Sequence, residues 1–268
     1  MRKIAHLSDL HFGTEDRTLL PVLAATIRSA APDVIVISGD LTQRARAREF
    51  AAAHIFLRTL PFPKIIVPGN HDVPLYNLFM RTFQPLHRYR RYFGGDLTPY
   101  YADSEIAIVG LNTARSFTFK DGRVNKKQVE QVCARFQRLD DNIIRIVTTH
   151  HPFEDSETRG GLVGRATMAM AGFSKCRVDV VLSGHMHTGR FAVSSSKYKL
   201  GDYSALLIQA GTATSVRRRG EANSFNMIKI DGPRITVERC AWNIGRADFS
   251  VAAMDRFLKK SGEWFSSP

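Results

Sequence analysis

Cysteine is scarce in this chain and acid is outnumbered. Only Cys133, Cys176 and Cys240 occur, far apart and in no Cys-x-x-Cys pairing. An odd count without that spacing argues against a disulfide framework or a zinc ribbon and predicts three reduced, packed thiols. No run approaches the ~20 apolar residues of a membrane span. The apolar stretch behind Met1-Arg2-Lys3 is broken by His6, Ser8 and Asp9, short of the ~7–15 apolar residues of a signal peptide. A cytoplasmic protein is expected. Internal repeats and low-complexity tracts are missing too, so one domain spanning 1–268 is expected. Against 38 Lys and Arg stand 25 Asp and Glu, a net +13. That excess favours anionic partners: phosphate esters, nucleic acid or acidic headgroups.

What is present is ordinary in amount and ordered in pattern. With 268 residues, 44% hydrophobic and 24% charged, the chain can bury a large core. A short apolar run at residues 3–8, a β-branched one at 33–38 and a third strand at 63–67 alternate with helical patterns at residues 19–30 and 45–58. Strands alternating with such helices predict βαβ units and a parallel inner sheet. A hairpin at residues 99–111, a helix over 125–139 capped at or just before Asn125, and buried strands at 142–148 and 178–183 follow. From residue 191 four strands suggest a largely antiparallel closing sheet. Residues 249–265 carry Val251, Met254, Phe257 and Leu258 at helical spacing, which predicts a C-terminal helical extension within 244–268. The whole reads as α/β, two stacked sheets with outer helices.

The chemistry lies where strands end. Asp9-Leu10-His11, Gly39-Asp40, Gly69-Asn70-His71-Asp72, His150-His151-Pro152 and Gly184-His185-Met186-His187 each follow a predicted strand. Taken singly, each is ordinary: Asp40 as a helix cap, Gly69-Asn70 as a turn, His185 and His187 on one face of an extended segment. Gly-Asn-His-Asp, however, arises by chance in roughly one in a thousand chains of this length. Open α/β sheets bind ligands at the carboxyl ends of their strands. Asp, His and Asn donors suit Mn, Fe, Zn, Ni or Co rather than a thiolate-seeking ion. A carboxylate such as Asp40 can bridge two cations ~3.5–4 Å apart, which activate a bridging water and neutralise phosphoryl oxygens during in-line attack.

These five strings together resemble the motif series of the calcineurin-like metallophosphoesterases. By motif the resemblance spans residues 4–187. It implies an αββα sandwich of two mixed β-sheets flanked by helices, with a dinuclear metal site at the strand ends. It implies one metal held by Asp9, His11, Asp40 and His187, and a second by Asp40, Asn70, His150 and His185. His71 becomes the proton donor to the leaving group or a phosphate contact, with Asp72 its orienting partner. Adjacent histidines cannot both point at one metal, and the family pattern selects His150. His151 is then expected at the rim or in support of its neighbour.

The layout is most similar to the bacterial class III cyclic nucleotide phosphodiesterase branch, which implies a small phosphodiester such as a nucleotide. An intact His71 points away from the UDP-diacylglucosamine hydrolases. A metal-dependent nuclease and a phospholipid or nucleotide-lipid phosphoesterase remain alternatives, with a non-catalytic scaffold the remote one. Residues 79–93 interleave Arg81, Arg88, Arg90 and Arg91 with Phe83, Tyr89, Tyr92 and Phe93. This is either a substrate grip, with Arg88, Arg90 and His151 as candidate contacts, or a helix with buried aromatics and solvated arginines. Arg217-Arg218-Arg219 reads as a solvated loop. The C-terminal extension is expected to dock on the domain or on a second copy, in preference to an anionic membrane.

Overall fold

The computed structural model describes residues 1–118, 120–154, 162–216 and 220–267. Three strands, β1 (Arg2–Leu7) and the β-branched β2 (Val34–Ser38) and β3 (Lys64–Val67), run parallel. They are connected through helices α1 (Leu19–Ala30) and α2 (Ala47–Arg58). β2 is buried along its whole length because both of its faces are covered. Val34 and Val36 face one core with Ile4, Ile108, Ile146 and Ile208, whereas Ile35 and Ile37 face another with Leu23, Ile27 and Phe50. The period of two along a strand thus feeds two separate apolar layers.

Past β3 the chain makes two short helices, α3 (Leu78–Phe83) and α4 (His87–Phe93), and then enters a second sheet. Its members are β4 (Tyr100–Ala102), β5 (Ile106–Gly110), β7 (Ile144–Thr148), β9 (Val180–Ser183), β10 (Arg190–Val193) and β11 (Leu206–Gln209). β5, β7, β9 and β11 are parallel, with β4 and β10 as antiparallel edges. A small parallel pair, β6 (Gly122–Arg123) with β8 (Val163–Gly164), precedes helices α5 (Lys126–Phe136) and α6 (Ala166–Lys175). Asn125 caps α5 in a reciprocal box, its side chain accepting from the Gln128 N–H at 2.9 Å. Val132, Phe136, Met170 and Phe173 bury these helices on the outer face of the second sheet. The layers are therefore α, β, β, α.

Three expectations are overturned. The closing strands do not form one sheet: β10 and β11 extend the second sheet, while β12 (Ser224–Asp231) and β13 (Arg234–Asn243) pair onto β1. Nor is residue range 249–265 helical. It forms β14 (Asp248–Lys260) and β15 (Glu263–Ser267), joined by Ser261-Gly262 at φ 49° and 90°. Two residues at positive φ make the tight turn that matches strand twist. Val251 and Met254 lie exposed, whereas Phe257 and Trp264 enter the core between the sheets. A free edge on β13 supplied the hydrogen bonds that an isolated segment would have sought in a helix.

The third correction concerns cysteine. Cys133 on α5 and Cys176 just past α6 form a disulfide, and Cys240 alone is a free, buried thiol. A Cβ on Gly172 would meet Val129 Cγ1 at 2.2 Å, so its hydrogen lets α6 lie close against α5 and brings the two sulfurs together. Spacing along the chain could not show that approach. Arg217-Arg218-Arg219 lies outside the described residues. Among those described, no helix is long and apolar enough to cross a membrane.

The disulfide closes a separation of 43 residues. Reducing it, or replacing Cys133 with Ser, should lower unfolding stability by about 2–4 kcal/mol in urea titrations.

Candidate metal centre

Five strand ends deliver seven donor side chains to one edge of the sandwich, and most of them do so from an unusual backbone. Asp9, His11, Asp40, His185 and His187 have φ of 53°, 47°, 52°, 75° and 62°. Left-handed backbone costs L-residues roughly 1–2 kcal/mol apiece, and Asn, Asp and His are among the residues that tolerate it best. The surrounding bonds hold it. His11 N–H donates to the Asp40 carbonyl at 2.9 Å and Asp9 N–H to the Gly39 carbonyl at 3.1 Å. The Thr212 and Thr214 hydroxyls each donate at 2.7 Å, to the carbonyls of Asp9 and Leu10. Neither threonine carries a sequence signal; both are set by the return of the chain after β11.

The donor atoms fall into two sets. In the first, His11 Nε2 lies 3.1 Å from His187 Nε2, 3.5 Å from Asp9 Oδ1 and 3.6 Å from Asp40 Oδ2, with His187 Nε2 3.2 Å from Asp9 Oδ1. In the second, His150 Nε2 lies 3.0 Å from Asn70 Oδ1, 3.2 Å from His185 Nδ1 and 3.3 Å from Asp40 Oδ2. His185 Nδ1 is also 3.1 Å from Asn70 Oδ1. Ligands ~2.1 Å from a tetrahedral cation sit ~3.4 Å apart, so both sets have the spacing a cation requires. Lone pairs this crowded repel one another unless a positive charge lies among them. The residues fit a pair of metal ions.

Asp40 belongs to both sets through one oxygen, Oδ2. Its other oxygen accepts the His71 N–H at 2.9 Å. Gly69 permits this packing, because a Cβ there would lie 2.1 Å from Asp40 Oδ1. His150 donates from Nδ1 to the Ser38 carbonyl at 2.8 Å, which fixes the tautomer and leaves Nε2 as the ligand atom. Asp9 Oδ2 accepts the His185 N–H at 2.9 Å and so turns Oδ1 to the site.

Burial and charge oppose each other here. Burial alone would lower His150, but the Asp40 carboxylate outweighs it and raises the imidazole to about 9. Burial lowers His185 to about 3, with the charge of His150 adding to the effect. Burial likewise lowers His11, against the pull of Asp9 and Asp40. Asp40 is held far below the usual carboxylate range: burial works against this, and the surrounding imidazoles, His150 foremost, overcome it.

The remaining candidates divide. His71 is half-buried, edge-on to His11 with ring centroids 4.9 Å apart, and its Nδ1 meets the Gln43 carbonyl at 2.9 Å. Gln43, not Asp72, orients it. The buried Asp72 carboxylate instead accepts from Leu41 N, Thr42 N, Thr42 Oγ1 and Gly69 N at 2.9–3.2 Å, tying the Asp40 loop to the Asn70 loop. Burial pushes this carboxyl up to about 7 and the charge of Asp40 adds to it, while those donors oppose the rise.

His151 is buried rather than at the rim. Its Nδ1 meets Thr113 Oγ1 at 2.8 Å and its Nε2 the Lys120 carbonyl at 2.9 Å, so it supports the loop beneath its neighbour. Arg88 donates to the Ala45 carbonyl at 2.8 Å and braces the approach to α2. Arg90 is exposed and opens, with His87 and Arg115, on a cavity of about 550 Å³.

A family model described as calcineurin-like phosphoesterase matches residues 2–189. Over 80 residues the chain is 31% identical to a glycerophosphodiester phosphodiesterase of Enterobacter lignolyticus, which covers 26% of this chain and 29% of that protein. Over 204 residues it is 25% identical to a probable cyclic nucleotide phosphodiesterase of Synechococcus, covering 69% of this chain and 72% of the relative. A purple acid phosphatase from yellow lupin superposes with a TM-score of 0.70 at 12% identity, over 95% of this chain and 53% of that one. The match thus spans less than a third of the Enterobacter protein and about half of the lupin one.

The raised His150 makes metal binding depend on pH. His11 and His185 are already neutral near pH 7, whereas His150 keeps its proton until about pH 9 and must lose it to bind. Calorimetric titration of metal-free protein with Mn should therefore show affinity rising about tenfold per pH unit between about pH 7 and 8.5.

Proposed function

Because the chain belongs to the calcineurin-like phosphoesterase family, we propose that it hydrolyses phosphodiesters at a two-metal centre. One observation carries the reading: Asp40 Oδ2 stands 3.6 Å from His11 Nε2 and 3.3 Å from His150 Nε2, shared by both donor sets. Two cations held there would lower the pKa of a water and neutralise phosphoryl charge. The protein's own groups do the rest. Asp9 and His187 complete one set, Asn70 and His185 the other, and Asp72 keeps the two Asp-bearing loops in register. His71 donates from Nδ1 to the Gln43 carbonyl, so in its imidazolium form it has the Nε2 proton left to give to the departing oxygen. Its ring stands edge-on to His11, beside the first donor set. The diesterase preference is supported by two relatives, a glycerophosphodiester phosphodiesterase and a probable cyclic nucleotide phosphodiesterase. The substrate class proposed is a small diester, glycerophosphodiester or cyclic nucleotide.

Asp40→Ala and Asn70→Ala should abolish hydrolysis of both a nitrophenyl diester and an alkyl diester in Mn-loaded protein. His71→Gln should separate the two substrates. A nitrophenolate departs with little help, so its kcat should change little, while the alkyl diester should lose about 10²–10⁴ in kcat. Equal losses on both would remove His71 from the leaving-group role, and full activity without metal would overturn the two-metal reading.

A further inference from the structure

α3 is inside out. Arg81 is its one cation, and only 5% of it is exposed; its guanidinium donates to the carbonyls of Pro74 at 3.0 Å and Thr118 at 2.8 Å. The apolar residues face outward instead: Leu78 is 69% exposed, Phe79 66% and Phe83 70%. Tyr76 at 75% and Phe117 at 84% extend the same patch, Phe117 held beside α3 by the bond from Arg81 to Thr118. A water-facing helix ordinarily turns its cation out and its phenylalanines in. Here the fold uses an arginine to anchor the helix from beneath, which keeps five large apolar side chains in the open.

The charge around the patch is mainly positive: beside Phe117 the one acid, Asp121, stands among Arg115, Lys120 and Arg123. From Val73 to Gly95 there is no Asp or Glu, while Arg81, Arg88, Arg90 and Arg91 occur, the last two exposed. One end of the patch is linked to the metal centre through Arg44. The Arg44 guanidinium stacks over the Tyr76 ring at 5.4 Å, and Arg44 follows Gln43, whose carbonyl holds His71. A second copy of this chain would bring its own +13 against the same arginines. An anionic lipid surface offers what both parts lack: an apolar phase for the side-chain tips and negative headgroups for the flanking cations.

We infer that Tyr76, α3 and Phe117 form a docking surface for an anionic bilayer, which presents the metal centre to phosphodiesters in the headgroup layer. The presentation rests on the phosphodiesterase reading; the docking does not. The test is co-sedimentation of the intact, Mn-loaded protein with phosphatidylcholine vesicles containing or lacking about 30% phosphatidylglycerol. The wild type should bind the anionic vesicles at least about tenfold more tightly than the neutral ones. The double variant Leu78→Glu, Phe79→Glu should lose that binding yet hydrolyse a soluble nitrophenyl diester at the wild-type rate. Both positions are exposed, so that unchanged rate also reports an intact fold. Wild-type protein that stays in the supernatant, or a variant that sediments as well as wild type, overturns the inference. So does a dimer, seen by light scattering without lipid, that the variant abolishes. Loss of soluble diester hydrolysis in the wild type would strike the phosphodiesterase reading alone and leave the docking result standing.

Discussion

Everything at the site depends on one buried carboxylate oxygen. Asp40 Oδ2 must face two groups of lone pairs at once, and it can do so only because the other oxygen is fixed by the His71 N–H. That bond requires the Asn70 loop to approach the Asp40 loop so closely that Gly69 has no room for a Cβ. Asp72 holds the two loops together by accepting from both, at Leu41, Thr42 and Gly69. Without cations a proton meets that charge: Asp40 holds His150 protonated up to about pH 9, while burial, aided by the His150 charge, lowers His185. The strain stored here is in the backbone, left-handed at five of the ligands, and its cost is met during folding.

The sandwich makes that crowding affordable in free energy. Parallel strands end together, so β1, β2 and β3 in one sheet and β7 and β9 in the other bring their carboxyl ends to one edge. The apolar layer between the sheets is built from β-branched side chains of both, and Phe257 and Trp264 close it at the far side. Five ligands sit on left-handed backbone that no local preference would choose. They are held there by cross-links between loops of different strands, including the hydroxyls of Thr212 and Thr214.

Outside the centre, the same physics distinguishes two neighbouring helices of similar composition. In α4 the aromatic Tyr89 is buried and Arg90 and Arg91 face water, the ordinary arrangement. In α3 it is reversed, because two backbone carbonyls, those of Pro74 and Thr118, are placed to receive Arg81. Alternation of basic and aromatic residues therefore carried both outcomes, and only the acceptors in space chose between them.

Much was legible from residue order alone. The short apolar runs defined the inner strands, since burial on both faces favours apolar side chains along most of each strand. The Asp, Asn and His strings named the donors the structure brings together, since few other roles need such residues after successive strands. Signals existed for some of what was missed: Ser261-Gly262 is a hairpin turn, and it separates β14 from β15 where helical spacing was read instead. Other features had none. The Cys133–Cys176 bridge depends on how closely α5 and α6 pack at Gly172, the seat of His71 on Gln43 rather than Asp72 on loop geometry, and the burial of His151 on Thr113 and Lys120. Sequence determined which atoms could bind a cation, because that is a property of side-chain chemistry. Tertiary structure decided which atoms share it, orient it or face away, because those are distances between segments that the chain order leaves far apart.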